Sequence, residues 1–148
     1  MQAERCKMAF ADMHFDQCFA SPISRAKMTA EIIRQGKEEP LIFLDSLKDA
    51  HLYFLEDGVY PLEKLWGRAH EVWKEILLTP GEHFLVVTHK SILRALICTA
   101  LGLGPERFRS VDINNGGLCV FKFNKEGEAM LHSLNMTAHI YTDHIYHY

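Results

Sequence analysis

The sequence predicts an α/β protein, a three-layer sandwich in which a mostly parallel sheet is flanked by helices. Three observations carry this expectation. Strand-like and helix-like stretches alternate across residues 1–113, the pattern of strands joined by helical crossovers. Phe84-Leu85-Val86-Val87 is a continuous apolar run, and an unbroken run of this kind suits a strand covered on both faces. A length of 148 residues fits one domain with a core of ordinary size.

The elements follow in order. Ala3, Cys6, Phe10 and Met13 recur at helical spacing and predict an amphipathic helix over 2–14. Asp16–Ala20 is short and apolar and stops at Ser21-Pro22, so it reads as a strand and a turn. Ser24 is placed to cap a second helix that runs to Arg34 and stops at Gly36. Pro40–Leu44 reads as another strand. Residues 45–61 are irregular and carry the turn signals Asp57-Gly58 and Pro61.

Leu62, Leu65, Trp66, Ala69, Val72, Trp73, Ile76 and Leu77 form the strongest helical stripe in the chain and predict a core-facing helix. Thr79-Pro80-Gly81 ends it. A strand at 83–88 and a helix over 91–102 come next. Ser110–Ile113 is expected to be a short strand and Asn114-Asn115-Gly116-Gly117 a turn. Leu118–Phe123 and Ala129–Met136 are expected to pair as a hairpin through Asn124-Lys125-Glu126-Gly127, giving the sheet an antiparallel end.

Composition removes several function classes. The chain is 48% hydrophobic and 24% charged, with a net charge of −3, as in soluble globular proteins. No basic run points to nucleic acid. No apolar run approaches the ~18 residues of a membrane span. Met1–Cys6 shows neither a signal-peptide apolar region nor transit-peptide character. Cys6, Cys18, Cys98 and Cys119 have no metal or redox spacing and read as buried reduced thiols. The histidine-rich tail 139–148 matches no metal signature and reads as a docked or frayed segment. No metal and no cofactor are expected.

Two stretches carry chemistry. His89 stands at the carboxyl tip of a buried strand and beside a helix start, where open α/β sheets bind ligands and where backbone N–H groups and the helix dipole favour anions. Arg25 stands in the first turn of a helix that follows another strand end. A guanidinium there suits bidentate contact with phosphate or carboxylate.

Together these stretches form a pattern. Ser21-Pro22-Ile23-Ser24-Arg25-Ala26-Lys27-Met28-Thr29-Ala30 resembles the S-P-x-x-R-A-x-x-T-A motif of the histidine phosphatase superfamily, whose members include phosphoglycerate mutases and related phosphatases. Val86-Val87-Thr88-His89, with Ile92-Leu93-Arg94 after it, resembles the family's second-histidine strand and helix. The turn at 114–117 also fits. The resemblance covers essentially the whole chain, which is most similar to plant phosphoglycerate-mutase-like proteins, the 2-carboxy-arabinitol-1-phosphatase group included. It implies a phosphoglycerate-mutase-like fold, a single and partial histidine-phosphatase domain over 1–148, and a small phosphorylated metabolite or phosphate as ligand. It further implies His89 as the residue stabilising charge on the transferred phosphoryl group, and Arg25, Ser21 and Lys90 as phosphate-binding.

Departures from the family pattern matter as much. No Arg-His-Gly, the motif of the family's nucleophilic histidine, occurs in these 148 residues. The family's first strand is expected to lie before residue 1. Without it, two strand edges are left unpaired, and a dimer, a strand-exchanged assembly or a rearranged sheet is expected. His14 reads as a surface or capping residue. Asp49, in Leu47-Lys48-Asp49, stands where the family often has its acid, and is either that acid or a solvated loop carboxylate. The loop that follows looks shortened. Lys90 replaces the family's usual glycine and either adds charge at the phosphate or points to solvent. Catalysis by this chain alone is expected to be impaired. A chloroplast location is implied by the resemblance, and a cytoplasmic one is the alternative.

Overall fold

The computed structural model of the protein describes residues 2–38, 40–48 and 62–138. Four helices and five strands alternate in chain order: α1 (Gln2–Ala9), β1 (Gln17–Ala20), α2 (Ser24–Arg34), β2 (Leu41–Phe43), α3 (Leu62–Leu78), β3 (Phe84–Val87), α4 (Lys90–Ala100), β4 (Leu118–Phe123) and β5 (Ala129–Met136). β1 lies in the middle of a parallel sheet of order β2-β1-β3. Cys18, Phe19 and Ala20 pair with Leu41, Ile42 and Phe43 on one side. Gln17–Ala20 pair with Phe84–Val87 on the other.

The core explains the layers. Side chains alternate across a strand. Phe19 joins a buried cluster with Leu65, Trp66, Ala69, Val72 and Ile76 of α3 and Ile92, Ala95, Leu96 and Cys98 of α4. Its β1 neighbours Cys18 and Ala20 are buried outside that cluster, as are Ala26, Ala30 and Ile33 of α2. One face of the sheet is therefore covered by α3 and α4 and the other by α2, against which α1 packs. The expected parallel sheet between helical layers is what forms.

Helix ends follow local rules. α4 stops where Gly102 takes φ +75°, a left-handed value that costs glycine little. The N–H of Leu103 donates to the carbonyl of Cys98 at 2.9 Å and that of Gly102 to Thr99 at 3.1 Å, so the last carbonyls are satisfied. α1 is shorter than the periodicity predicts. Lys37 Nζ donates to the carbonyls of Phe10 and Met13, each at 2.8 Å, and holds residues 10–13 as turns.

Two further expectations are corrected. Ser24 does not cap α2. Ile23 is the cap residue, and the side chain that serves its N–H belongs to Ser21. Ser110–Ile113 is not a strand. Pro105–Ser110 forms a 3-10 helix that drives Phe108 into the core beside Trp66, ring centroids 6.0 Å apart. Residues 111–114 then run on without a ladder partner among the described residues.

The hairpin of β4 and β5 forms as expected, antiparallel, with Phe123 opposite Ala129. It is not joined to the parallel sheet by any backbone ladder among the described residues. Asn135 of β5 is bonded to Asn114 through its side chain, and a second link to the body is aromatic. Trp73 of α3 packs on Phe121 and Phe123, with centroids at 5.5 and 5.3 Å. Among the described residues β3 thus has a ladder on one side only, and all four of its residues are half-buried, whereas all four of β1 are buried.

The floor of the sheet is clasped by Asp16. Its Oδ2 accepts the N–H groups of Glu82 at 2.7 Å and His83 at 3.0 Å, and its own N–H donates to the His83 carbonyl at 2.7 Å. These bonds favour the carboxylate, those from Glu82 and His83 most, and hold the Asp16 carboxyl below its ordinary range. A lowered native value gives stability that is present above the unfolded value and lost as pH falls through the native one. In urea unfolding followed below about pH 4, the native chain is expected to lose stability faster with falling pH than Asp16→Asn. Parallel slopes would contradict this.

Candidate functional site

The register of β1 and β3 sets the geometry of the carboxyl edge. Ala20 lies opposite Val87, so the next residues, Ser21 and Thr88, leave the sheet at the same level. The N–H of Ser21 donates to the Val87 carbonyl at 3.0 Å, which extends the ladder by one bond before Pro22 removes the next donor. His89 then turns back toward β1. Its Nε2 lies 2.8 Å from Ser21 Oγ. Ser21 is fully buried, and its Oγ also accepts the N–H of Ile23 at 3.2 Å.

Both flanking helices start at this contact. α2 opens after Ile23, and α4 opens after His89, which is its cap residue in extended conformation. Neither start has a side-chain cap bond. Helix starts carry N–H groups without intrahelical acceptors and the positive end of the helix dipole. Two such starts therefore converge on one half-buried histidine. An anion with several oxygens is the ligand this arrangement suits.

The other residues singled out in the sequence fall around this centre in different ways. Arg25 sits in the first turn of α2 with its side chain exposed. Lys90, the first residue of α4, is ion-paired to Asp112 at 2.6 Å. That bond, then the Ile113 N–H, holds the Asp112 carboxyl below its ordinary range. Asp49 lies outside the described residues, as does the histidine-rich tail. The chain just before Asp49 is tied to the site, because Thr88 Oγ1 donates to the carbonyl of buried Leu47 at 2.7 Å. Arg68 of α3 donates to the carbonyls of Ser46 and Lys48. His14 is at the opposite end of β1, 3.4 Å from Asp16, and takes no part in this centre.

Several contacts near the site have no local signal in the sequence. Lys90 and Asp112 lie 22 residues apart, and Thr88 and Leu47 lie 41 apart. Arg94 is a third case. Its guanidinium lies over the ring of Phe108, 4.6 Å from the centroid, and its buried Nε has no hydrogen-bond partner among the described residues. The ring face offers the cation a partner of its own, and Arg94 thereby fixes α4 to the 3-10 helix.

Burial pushes the thiols of Cys6, Cys98 and Cys119 up, away from the reactive thiolate. No group of three His, Cys, Asp or Glu side chains among the described residues is placed to hold a metal ion. No helix among the described residues is long and apolar enough to cross a membrane.

A model of the histidine phosphatase superfamily (branch 1) matches residues 1–60 and 54–136. A probable 2-carboxy-D-arabinitol-1-phosphatase of Arabidopsis thaliana is 36% identical over 149 residues, 82% of this chain. The 2-carboxy-D-arabinitol-1-phosphatase of Triticum aestivum is 33% identical over 152 residues, 84% of this chain. In both cases the chain spans 31% of the relative's length. Among solved structures, a phosphoserine phosphatase of Entamoeba histolytica in complex with 3-phosphoglyceric acid superposes with a TM-score of 0.76. It is 22% identical, and the match covers 94% of this chain and 82% of that one.

The Thr88 bond is open to direct test. Thr88→Val keeps the shape and removes the donor to Leu47, which leaves a buried carbonyl unpaired. A loss of about 1–3 kcal/mol is expected, with faster hydrogen exchange at Leu47 and Lys48, whose N–H groups close the 45–48 turn. Unchanged stability and exchange would show that the turn is held by other means.

Proposed function

The chain belongs to the histidine phosphatase superfamily, and on that premise we propose that its carboxyl edge binds the phosphate of a small phosphorylated sugar acid. The observation that carries this is the contact of His89 with Ser21 where two uncapped helix starts converge. Phosphoryl transfer depends chiefly on positioning the group and offsetting charge on its equatorial oxygens. In this reading Arg25 swings onto the phosphate with its bidentate fork. His89 offsets charge on the phosphoryl group. Lys90 adds a second cation when it leaves Asp112. Asp49 serves as the acid that protonates the leaving oxygen. The sugar-acid class rests on the plant relatives, as does a chloroplast location.

The nucleophile is the limiting part. The family's Arg-His-Gly does not occur within residues 1–148, and none of the described histidines other than His89 stands at the carboxyl tip of a strand of the parallel sheet. The 148 residues are therefore proposed to bind phosphate and to turn over phosphomonoesters negligibly by themselves. Loss of a covalent nucleophile costs several orders of magnitude in rate.

A second reading is a non-catalytic member of the fold that acts by anion binding or protein contact. The ladder of β3, one-sided among the described residues, favours it, since an unpaired strand edge can recruit a further strand, including one from a second copy of the chain.

Isothermal titration with inorganic phosphate, paired with release of phosphate from an aryl phosphate, tests the proposal. Arg25→Ala is expected to weaken phosphate binding about tenfold or more, the value of a charge-assisted hydrogen bond. Hydrolysis is expected to be negligible in both the native chain and His89→Ala. Robust hydrolysis lost in His89→Ala would overturn the assignment of a binding-only chain. Absence of phosphate binding would overturn the site itself.

A further inference from the structure

We infer that Ser21 is a positioning residue that holds His89 in a single orientation and in the neutral tautomer with its proton on Nδ1. This deepens the phosphate-site reading and depends on it for its functional meaning. The tautomer itself depends only on the contact between the two side chains.

A serine hydroxyl has one proton to donate and two lone pairs to accept with. One lone pair of Ser21 Oγ already receives the Ile23 N–H. His89 Nε2 lies 2.8 Å away. Ser21 is 0% exposed, so bulk water cannot take its proton, and Nε2 is the acceptor the structure places within reach among the described residues. If Nε2 carried a proton instead, Oγ would receive two donors and its own hydrogen would be left buried without an acceptor. Burying an unpaired polar hydrogen is the more costly arrangement. The Ser21 hydroxyl therefore donates to Nε2. A neutral imidazole has one donor and one acceptor nitrogen, and the bond made by one nitrogen decides the state of the other.

Ser21 is suited to this role because its backbone does not move freely. Its N–H is tied to Val87 at 3.0 Å, and the next residue is Pro22, whose ring fixes the following φ. Its Oγ is thus set by the sheet, and through it the imidazole ring. Ser21 acts on a ligand through His89, not by direct contact, since its side chain is sealed from solvent.

The test reads the tautomer in the ligand-free chain. Long-range proton–nitrogen correlation spectra of 15N-labelled protein, recorded at a pH where the ring is neutral, distinguish Nδ1–H from Nε2–H. The native chain is expected to show the Nδ1–H pattern at His89. Ser21→Ala is expected to lose it, and Ser21→Thr, which keeps the hydroxyl, to retain it. In the same samples, titration with inorganic phosphate is expected to show about fivefold weaker binding for Ser21→Ala than for Ser21→Thr, the weight of one oriented hydrogen bond. An Nε2–H pattern in the native chain, or an Nδ1–H pattern that survives in Ser21→Ala, would overturn the inference. The tautomer result obtained without phosphate binding in the native chain would sustain the Ser21–His89 bond and overturn the phosphate-site reading alone.

Discussion

The parallel pairing of β1 with β3 is the constraint on which the rest depends. Four residues of β1 are buried on both faces, so their register admits no slip: a shift of one residue would exchange Phe19 for Cys18 or Ala20 in the core beneath α3 and α4. The same register puts Ala20 beside Val87. From there the chemistry is a matter of counting. One residue on, the chain reaches Ser21 on one strand and Thr88 on the other, and a second step reaches His89. The hydrophobic effect sets the register, and the register brings a hydroxyl and an imidazole to 2.8 Å.

Charge at this edge is arranged in tiers. The innermost groups, Ser21 and His89, are neutral or titratable and partly or wholly buried. The formal cations Arg25 and Lys90 are both exposed. An unpaired buried cation would be costly in the absence of ligand. Keeping Arg25 in solvent and Lys90 against Asp112 avoids that cost, and leaves backbone N–H groups at two helix starts as the fixed source of positive potential. Preorganised dipoles of this kind need no rearrangement when an anion arrives.

What the sequence made legible divides along physical lines. The stripe from Leu62 to Leu77 and the run Phe84–Val87 are set by burial, and burial leaves a periodic trace. So α3, β3 and the placement of His89 at a strand tip were readable. The helix start that carries Arg25 was readable from the Ser21-Pro22 turn signal before it and from the resemblance of residues 21–30 to the family's motif. Interactions between distant segments leave no such trace. Nothing near Lys90 announces Asp112, and nothing near Thr88 announces Leu47. The expected strand at 110–113 failed for the same reason: Val111 and Ile113 have strand-like side chains, but a strand exists only where a neighbour offers its ladder. Phe108 wins instead, because Trp66 and Arg94 give its ring a better place.

The half-buried state of β3 bears on how the site holds its shape. Among the described residues β3 has its ladder on the β1 side alone, so the bonds it makes across the sheet all run toward β1. Three contacts act at the level where chemistry is placed. Thr88 is anchored to Leu47, Ser21 to Val87, and His89 to Ser21. Each ties the tip of β3 back toward β1 or toward the chain after β2. The aromatic packing of Trp73 on Phe121 and Phe123 holds the hairpin to α3. The bond from Ser21 thus reaches the His89 ring from the inner side of the sheet, the side on which β1 and β3 share their register.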